Sequence, residues 1–272
     1  MAARTALYNV MERAARKAAR SLVHDFGEVE HLQVSMKGPG DFVSTADHQA
    51  ERIIKTELAK ARPGYGFLLE EGGETQGDGK HRWIVDPLDG TTNFLHGIPH
   101  FAISIGLERD KELVAGVIYD PIKDEMFYAE KGLGAFVNDR RLRVSARPHL
   151  AESVIGTGIP TRRGNEEGAH ARYLKLLATV MSNTSGVRRM GAAALDLAYV
   201  AAGRLDGFFE IGLSAWDMAA GAVIIREAGG YIEEIDGGKD FMKSGSVLAS
   251  NDRLLAPLGK LLRDAGGAPK AG

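Results

Sequence analysis

The sequence contains no cysteine in 272 residues. Disulfide bonds, zinc–thiolate centres and thiol nucleophiles are therefore excluded. It also has no excess of charge of one sign, because 34 Lys and Arg face 36 Asp and Glu, for a net charge of -2. We therefore expect no bulk electrostatic binding to nucleic acid or to a membrane surface. No apolar run approaches transmembrane length, so a cytoplasmic protein is the expectation.

Three motifs of common enzyme classes are also missing. The sequence has no phosphate-binding loop of the NTPase type and no glycine-rich dinucleotide fingerprint. It has no GxSxG motif either, which argues against a serine hydrolase of the nucleophile-elbow type. The chemistry must be sought in other residues.

The first part of the chain has the pattern of two helices followed by a strand meander. Apolar residues at helical spacing predict a folded amphipathic helix at the N-terminus rather than a secretory signal, and 46–61 is a second helical segment. The polar, glycine-rich segment 72–80 is predicted to be a loop. The apolar run 66–71 predicts a short strand that ends in acids. Apolar runs over 82–86, 101–108, 112–120 and 125–130, joined by tight turns, predict an antiparallel meander, and the pattern changes after 141–145.

From residue 146 onwards, strands alternate with helices. Strands are predicted over 153–158, 206–212 and 247–251, and helices over 170–182, 191–203, 216–230 and a last segment ending near 263. The pattern predicts a layered mixed α+β protein. We expect a single unit with an N-terminal α+β half, 1–145, and a C-terminal α/β half, 146–272.

Acidic residues occur at three places where apolar segments end or begin. Glu70 and Glu71 end one predicted strand, Asp86 and Asp89 follow another in the stretch WIVDPLDGTTNF, and Asp217 stands at a helix start. Each has an ordinary explanation when taken alone: a solvated strand edge, a turn, or a helix N-cap. Because Asp86 and Asp89 end a strand that should be buried, however, both carboxylates would have little contact with water.

Several carboxylates in one buried place are costly unless they are protonated or bind cations. Oxygen ligands without His or Cys at metal-binding spacing suit Mg²⁺, Mn²⁺ or Ca²⁺, and the acid spacing of a calcium-binding EF-hand is absent. The adjoining Gly90, Thr91 and Thr92 can offer backbone N–H groups to a phosphate. Carboxylates for a metal beside amides for phosphate indicate phosphoryl transfer.

These motifs resemble those of the inositol monophosphatase family of Mg²⁺-dependent phosphatases. The resemblance extends over nearly the whole chain and includes DFVSTADHQAE (41–51), GFLLEE (66–71), WIVDPLDGTTNF (83–94), GAAALDLAYVAAGRLDGFFE (191–210) and AWDMAAG (215–221). The TTNF continuation is similar to the inositol monophosphatase branch, and the wider sequence to its bacterial extragenic-suppressor type. The resemblance implies the layered αβαβα sandwich shared with fructose bisphosphatases, a homodimer and inhibition by lithium.

The resemblance also implies a metal site with two or three Mg²⁺ ions. One ion would be held by Glu70, Asp86 and the backbone carbonyl of Leu88, and a second by Asp86, Asp89 and Asp217. A third, weaker ion would lie near Glu70. Pro87 restrains the residue before it, which would hold the bridging carboxylate of Asp86 in place.

The reaction implied is in-line attack on phosphorus by a water that the metals activate, without a covalent phosphoenzyme. Glu70 and Thr91 would orient and deprotonate that water, with Asp47 hydrogen-bonded behind Thr91. The phosphate would lie over the amides of Gly90 and Thr91.

Substrate-binding roles on the alcohol side are implied for Asp89, the backbone amide of Ala193, and Glu210. Carboxylates that accept hydrogen bonds from hydroxyl groups suit a polyol. Arg188 aligns with a basic residue near the substrate pocket or the dimer contact, and Lys37 with a lysine on a mobile loop. Glu210 and Arg188 each also have an ordinary reading as solvated surface residues.

Three functions remain open from the sequence. The first is hydrolysis of myo-inositol monophosphate. The second is the same chemistry on another small ester, such as fructose 1,6-bisphosphate, a nucleotide 3′-phosphate, NADP or histidinol phosphate. The third is an added non-catalytic role, because some bacterial relatives associate with RNA polymerase and antitermination factors. Neither membrane association nor direct nucleic-acid binding is expected.

Overall fold

A computed structural model of the chain describes residues 5–28, 34–38, 41–159 and 168–266. The helices are α1 (Ala6–Phe26), α2 (Thr45–Ala61), α3 (Thr91–Leu95), α4 (Ala169–Asn183), α5 (Ala193–Ala201), α6 (Ala215–Glu227), α7 (Phe241–Ser244) and α8 (Asp252–Asp264). The strands are β1 (Val34–Gly38), β2 (Asp41–Ser44), β3 (Gly66–Leu69), β4 (Gly73–Thr75), β5 (His81–Asp89), β6 (Ala102–Arg109), β7 (Glu112–Asp120), β8 (Glu125–Glu130), β9 (Gly134–Val137), β10 (Arg140–Arg141), β11 (Val154–Thr157), β12 (Gly186–Arg188), β13 (Gly207–Ile211), β14 (Tyr231–Glu233) and β15 (Ser246–Ser250).

These elements form five layers. Helices α1 and α2 cover one face of an eight-stranded sheet of order β10-β9-β8-β7-β6-β5-β3-β4. Helices α5 and α6 lie between that sheet and a five-stranded sheet of order β12-β11-β13-β15-β14. Helices α4 and α8 pack together against the far side of the second sheet. The predicted αβαβα sandwich is confirmed.

The outer helical layer follows from the amphipathic pattern of its two helices. Helix α1 begins at Thr5, whose hydroxyl accepts a hydrogen bond from the N–H of Tyr8 at 2.9 Å. Its fully buried face meets the buried face of α2 and the first sheet; the residues concerned are Met11, Ala14, Ala18 and Leu22 of α1 and Ala50, Ile54 and Leu58 of α2. Small residues at the contact allow close packing of the two helices.

The first sheet extends the predicted meander at both ends. Strands β5 to β8 are antiparallel neighbours as expected, β9 and β10 continue the antiparallel order without having been predicted, and β3 pairs with β5 in parallel. The predicted loop 72–80 contains β4, which pairs with β3, and Gly77 lies so close to Gly66 that a side chain would not fit between them. Beyond β10, the N–H of Val144 donates to the carbonyl of Ala228 after α6, at 3.2 Å.

Helix α6 lies at the centre of the sandwich and is buried on every side from Met218 to Ile225. Such an all-round apolar helix needs cover on all its faces. Glycines of the first sheet let it approach closely: a Cβ at Gly106 would lie 2.8 Å from the Cβ of Ala219, and one at Gly116 would lie 2.5 Å from the carbonyl oxygen of Ala220. This close contact places the beginning of α6 beside β5 and β6.

The second sheet combines parallel and antiparallel pairing. Strands β11, β12 and β13 are parallel, whereas β15 is antiparallel to both β13 and β14. Strand β14 and helix α7 were not predicted from the sequence, being only three and four residues long. The strands of the first sheet lie within 66–141 and those of the second within 154–250, on either side of residue 145. That the two halves behave as a single folding unit stays a prediction.

Candidate active site

The end of β5 carries the two aspartates of the DPLDG stretch. Asp86 pairs with Ser104 of β6 and Asp89 pairs with Ala102, so the register is irregular between the two aspartates. Pro87 stands in this bulge, where a missing N–H does not interrupt a regular ladder. The irregularity stops the regular alternation of side chains across the sheet. Asp86 and Asp89 can therefore face the same cavity, with Asp86 only 2 % exposed.

Asp217 reaches the same place from the first turn of α6. Its Oδ2 accepts a hydrogen bond from the backbone N–H of Ser214 at 2.7 Å, which fixes the start of the helix. The hydroxyl of Ser104, the partner of Asp86 in β6, donates to the carbonyl of Trp216 at 3.1 Å. A single hydrogen bond therefore ties the beginning of α6 to the strand beside Asp86. Asp217 thus helps to cap the start of α6, and it also faces the cavity.

Asp86, Asp89 and Asp217 form a group suited to a metal ion. Each offers one carboxylate oxygen, and these three oxygens all lie within 4.8 Å of one another. The group contains no histidine, and the chain has no cysteine. An all-oxygen donor set of this kind fits a hard cation such as Mg²⁺, Mn²⁺ or Ca²⁺.

The electrostatics of the group show the cost of assembling it. Burial, reinforced by the charges of Glu70, Asp89 and Asp217, raises the pKa of Asp86 well above its ordinary value. Burial likewise raises the pKa of Asp89 to about 7, although a hydrogen bond from the N–H of Ala194 at 2.8 Å acts in the opposite direction. A cation placed among these carboxylates would remove the repulsion and favour their ionised forms. The residues present therefore fit a divalent metal site.

Glu70 joins this group from the neighbouring strand. It follows β3 directly, and its backbone N–H donates to the carbonyl of Val85 on β5 at 3.2 Å. Because β3 and β5 are parallel, the ends of both strands lie at the same edge of the sheet. A hydrogen bond between the carboxyl groups of Glu70 and Asp86 contributes to the raised pKa of Asp86. The expected neighbourhood of Glu70 and Asp86 is thus observed.

Thr91 and Asp47 form the predicted pair. The hydroxyl of Thr91 lies 3.2 Å from Oδ1 of Asp47 and 3.0 Å from the carbonyl oxygen of Leu88, and its one hydrogen can be donated to either acceptor. Asp47 is 1 % exposed, and its Oδ2 accepts hydrogen bonds from the N–H and the hydroxyl of Ser44 at 2.9 and 2.6 Å. Burial nevertheless raises the pKa of Asp47. Asp47 lies behind Thr91 and does not itself line the cavity.

These groups surround a cavity of about 200 Å³. Gly90 lies directly before α3 and has a left-handed φ of 93°, a conformation that glycine adopts readily. The turn formed by Gly90 and Thr91 lies along one wall of the cavity. Backbone N–H groups in the first turn of a helix have no intrahelical acceptor. The predicted site residues that line the cavity are Glu70, Asp86, Leu88, Asp89, Gly90, Thr91, Ala193, Glu210 and Asp217.

The opposite wall is built by the second sheet and by the beginning of α5. Ala193 is the first residue of α5, and Glu210 projects from β13. A Cβ at Gly158 would lie 1.8 Å from Oε1 of Glu210, so only glycine leaves room for this carboxylate. Burial raises the pKa of Glu210 well above its ordinary value, with further contributions from Asp196 and Asp217.

Arg188 does not reach this wall. It is exposed, and its guanidinium donates to the carbonyl of Val187 at 2.9 Å. The neighbouring Arg189 lines the cavity instead and counteracts the raised pKa of Glu210. Successive side chains of an extended segment point to opposite sides, so a difference of one position exchanges an inward arginine for an outward one.

Sequence reasoning also missed a buried acid. Asp196 of α5 lines the cavity and is 1 % exposed, and its Oδ1 has no hydrogen-bond partner within the described part of the chain. Burial and the charge of Asp89 raise the pKa of Asp196 well above its ordinary value. An acid inside the Ala- and Leu-rich run GAAALDLAYVAA was the available signal. The predicted Lys37 has its backbone in β1, but its side chain lies outside the described part of the structure.

Comparison with known proteins shows the family to which the chain belongs. The inositol monophosphatase family matches residues 3–266. The inositol-1-monophosphatase of Mesorhizobium japonicum is 61 % identical over 96 % of this chain and 97 % of its own length. The Nus factor SuhB of Pseudomonas aeruginosa is 43 % identical over 93 % of this chain and 94 % of its own length.

A solved structure shows the same fold. The crystal structure of the extragenic suppressor protein suhB from Bartonella henselae superimposes with a TM-score of 0.91 at 57 % identity, covering 95 % of this chain and 99 % of that one. The chain belongs to the inositol monophosphatase family. The predicted family and the phosphatase class of enzyme are thereby confirmed. Within the described residues, no helix combines the length and apolar character needed to cross a membrane.

Proposed function

We propose that the protein is a Mg²⁺-dependent phosphomonoesterase that hydrolyses myo-inositol monophosphate to inositol and phosphate. The observation that carries this proposal is the convergence of Asp86, Asp89 and Asp217, with carboxylate oxygens within 4.8 Å, on a cavity that the Gly90–Thr91 turn also lines. A hard-cation site beside a helix start suits a phosphate monoester. The names of the family and of its Mesorhizobium relative support inositol monophosphate as the substrate.

Two Mg²⁺ ions would be held by the carboxylates at the end of β5. Glu70, Asp86 and the carbonyl oxygen of Leu88 would hold one, and Asp86, Asp89 and Asp217 the other, with a weaker third ion near Glu70. The Leu88 carbonyl has two lone pairs, so it can bind an ion and still accept from Thr91. When bound, such ions polarise the phosphoryl oxygens and lower the pKa of water.

The side chains of the protein would orient and deprotonate the attacking water. Thr91 can accept a hydrogen bond from the water while its own hydroxyl donates to Asp47, which Ser44 holds in place. The Glu70 carboxylate would take one proton from the water. As the new P–O bond forms, the P–O bond to the alcohol breaks and the leaving oxygen takes up a proton from solvent, so inositol and phosphate are released and no covalent phosphoenzyme arises.

The second wall would recognise the alcohol. Asp89, the N–H of Ala193 and the Glu210 carboxylate would bind hydroxyl groups of the ring, while the amides of Gly90 and Thr91 would bind phosphate. Because Arg188 does not line the cavity, we assign its predicted contact with the substrate to the neighbouring Arg189, which does. The resemblance further leads us to expect inhibition by Li⁺. It also leads us to expect a homodimer, and sedimentation can measure this oligomeric state.

The experiment is phosphate release from a panel of esters at varied Mg²⁺. The panel contains inositol 1-phosphate, fructose 1,6-bisphosphate, a nucleotide 3′-phosphate, NADP and histidinol phosphate. We expect the highest kcat/KM for inositol 1-phosphate and no turnover after removal of Mg²⁺ by a chelator. Preference for another ester would change the proposed substrate but keep the proposed reaction, hydrolysis of a phosphate monoester. Undiminished turnover without divalent cations would overturn the proposal.

A second role is favoured by a relative. The Pseudomonas protein with 43 % identity is named a Nus factor, so we propose that this chain can also bind the transcription antitermination machinery. Binding of the wild-type protein and of Asp217→Asn to purified RNA polymerase with antitermination factors tests it. Equal binding by both would support a separate, non-catalytic surface, and binding by neither would refute this role.

A further inference from the structure

Asn93 joins the two walls of the cavity. It is the third residue of α3 and is 5 % exposed. Its side-chain Nδ2 donates to the carbonyl of His100 at 2.8 Å and to that of Met190 at 2.9 Å, with the carbonyl of Gly191 at 3.4 Å. Because an amide NH₂ has two hydrogens, it satisfies the two nearer carbonyls, one from the segment before β6 and one from the segment before α5.

The alcohol-binding segment that Asn93 holds, residues 190–194, carries Ala193, one of the three groups proposed to bind the alcohol. Met190 and Gly191 precede Ala193, and the N–H of Ala194 donates to Oδ2 of Asp89 at 2.8 Å. Residues 190–194 are therefore fixed at one end by Asn93 and at the other by Asp89. Both of these residues come from the β5–α3 region, which also contains the phosphate-binding turn.

The backbones around Asn93 lie too close together for the spacing to change freely. A Cβ at Gly90 would lie 3.1 Å from the carbonyl oxygen of His100 and 3.3 Å from that of Gly191. One at Gly191 would lie 3.2 Å from Nδ2 of Asn93, and Gly191 has a left-handed φ of 85°. Gly90 and Gly191 thus allow the two backbones to come close together, and the side-chain amide of Asn93 links them.

We infer that Asn93 is a positioning residue that sets the distance between the phosphate-binding turn and the alcohol-binding segment. It does not line the cavity, so it acts through Gly191 to Ala193 rather than by touching the substrate. The inference rests on the proposed function, because it assumes that phosphate and alcohol are bound by different walls. A small misplacement between two binding elements can lower the rate by about a hundredfold.

The test compares two substrates that use the walls differently. Inositol 1-phosphate is expected to contact both walls, one through its phosphate and the other through its hydroxyl groups. The leaving group of p-nitrophenyl phosphate has no hydroxyl, so this ester depends mainly on the metal side. Asn93→Leu removes the amide donor and keeps a side chain of similar size. In this variant, kcat/KM for inositol 1-phosphate divided by kcat/KM for p-nitrophenyl phosphate should fall by about tenfold or more. The loss on inositol 1-phosphate should appear largely in KM, while inhibition by inorganic phosphate should change little.

A matched control is Asn183→Leu. Asn183 is exposed on α4 and donates from Nδ2 to the carbonyl of Thr179 at 2.8 Å, so it has the same chemistry away from the cavity. Its substitution should leave both substrates unchanged. Gly191→Ala tests the same contact from the other wall if Asn93→Leu does not fold, and it should shift the ratio in the same direction.

A purely structural role predicts a different result. Loss of folded protein would reduce both substrates by one factor, with the ratio and both KM values unchanged, and that outcome would overturn the inference. Failure of the wild-type protein to hydrolyse inositol 1-phosphate would instead refute the proposed substrate. In that case the ratio is measured with whichever polyol ester the wild-type protein prefers.

Discussion

The two walls of the cavity are built in different ways. On the metal side, Asp86, Leu88, Asp89, Gly90 and Thr91 come from one continuous stretch at the end of β5, fixed by a bulge and a helix start. On the alcohol side, Arg189, Ala193 and Glu210 come from separate elements, with glycines making room for side chains. Glu70 and Asp217 join the metal side from the end of β3 and from α6. The groups proposed for the reaction are thus mostly placed by local backbone structure, whereas those proposed for substrate choice depend on the packing of distant segments.

The largest effect is expected for Asp89→Asn on the metal side. The variant loses an ionised oxygen of the three-carboxylate group, and since a metal supplies several kcal/mol of charge stabilisation, we expect kcat/KM to fall by about a thousandfold. Phosphate release and calorimetric titration with Mg²⁺ measure the effect. Asp264→Asn, an exposed acid on α8, is the control and should behave as the wild type. Activity within threefold of the wild type in Asp89→Asn would place the metal elsewhere.

A smaller effect is expected for Asp47→Asn, which acts from behind the metal wall. The substitution weakens the acceptor for the Thr91 hydroxyl, and changes of such supporting groups typically cost about 10- to 100-fold in activity or metal affinity. We expect kcat to fall for inositol 1-phosphate and p-nitrophenyl phosphate alike. A loss confined to one substrate would contradict the assignment of Asp47 to the shared chemistry.

Glu210→Gln should affect the alcohol side alone, unlike Asp47→Asn, which should affect both esters. Since Glu210 stands opposite the metal site, the substitution should lower kcat/KM for inositol 1-phosphate by about tenfold, the effect of losing a hydrogen bond to a charged group, and spare p-nitrophenyl phosphate. Steady-state kinetics with both esters provide the measurement. An equal fall of kcat/KM for both esters would show that Glu210 acts with the groups of the metal side.

The smallest effect concerns the pH dependence of stability without metal. Because burial raises the pKa of Asp89 to about 7, the folded metal-free protein holds more protons than the unfolded chain between about pH 4 and pH 7. The stability contribution of this carboxyl therefore falls as pH rises through that window. Thermal unfolding with a chelator should show a steeper fall in Tm for the wild type than for Asp89→Asn, and Mg²⁺ should remove the difference. Identical slopes would contradict the raised pKa.

The sequence indicated the metal wall more completely than the alcohol wall, for a physical reason. The DPLDG stretch places its residues by local geometry, so Asp86, Asp89 and Thr91 could be located from neighbours in the chain. Glu70 and Asp217 were noted as acids where elements end or begin, but placing them in the same metal site required the resemblance to a family, because their proximity depends on α6 and β3 packing beside β5. Arg189 and Asn93 were missed, because each acts through a contact with residues far away in sequence.

The fold shows the same contrast. The long helices α1 and α6 and the strands β5 to β8 have strong apolar patterns, and the sequence predicted them. Strand β4 was read as a loop, since its exposed Gly-Glu-Thr carries no apolar alternation, and the parallel pairing of β3 with β5 depends on the whole sheet. Short elements with few buried residues leave little trace in a sequence.

The most direct test of the account is the position of the metal itself. A crystal of the protein grown with Mn²⁺ in place of Mg²⁺ should show an anomalous peak among the carboxylates of Asp86, Asp89 and Asp217, and this peak should be lost in Asp217→Asn. Anomalous density at another part of the molecule, with these carboxylates free of metal, would contradict the account.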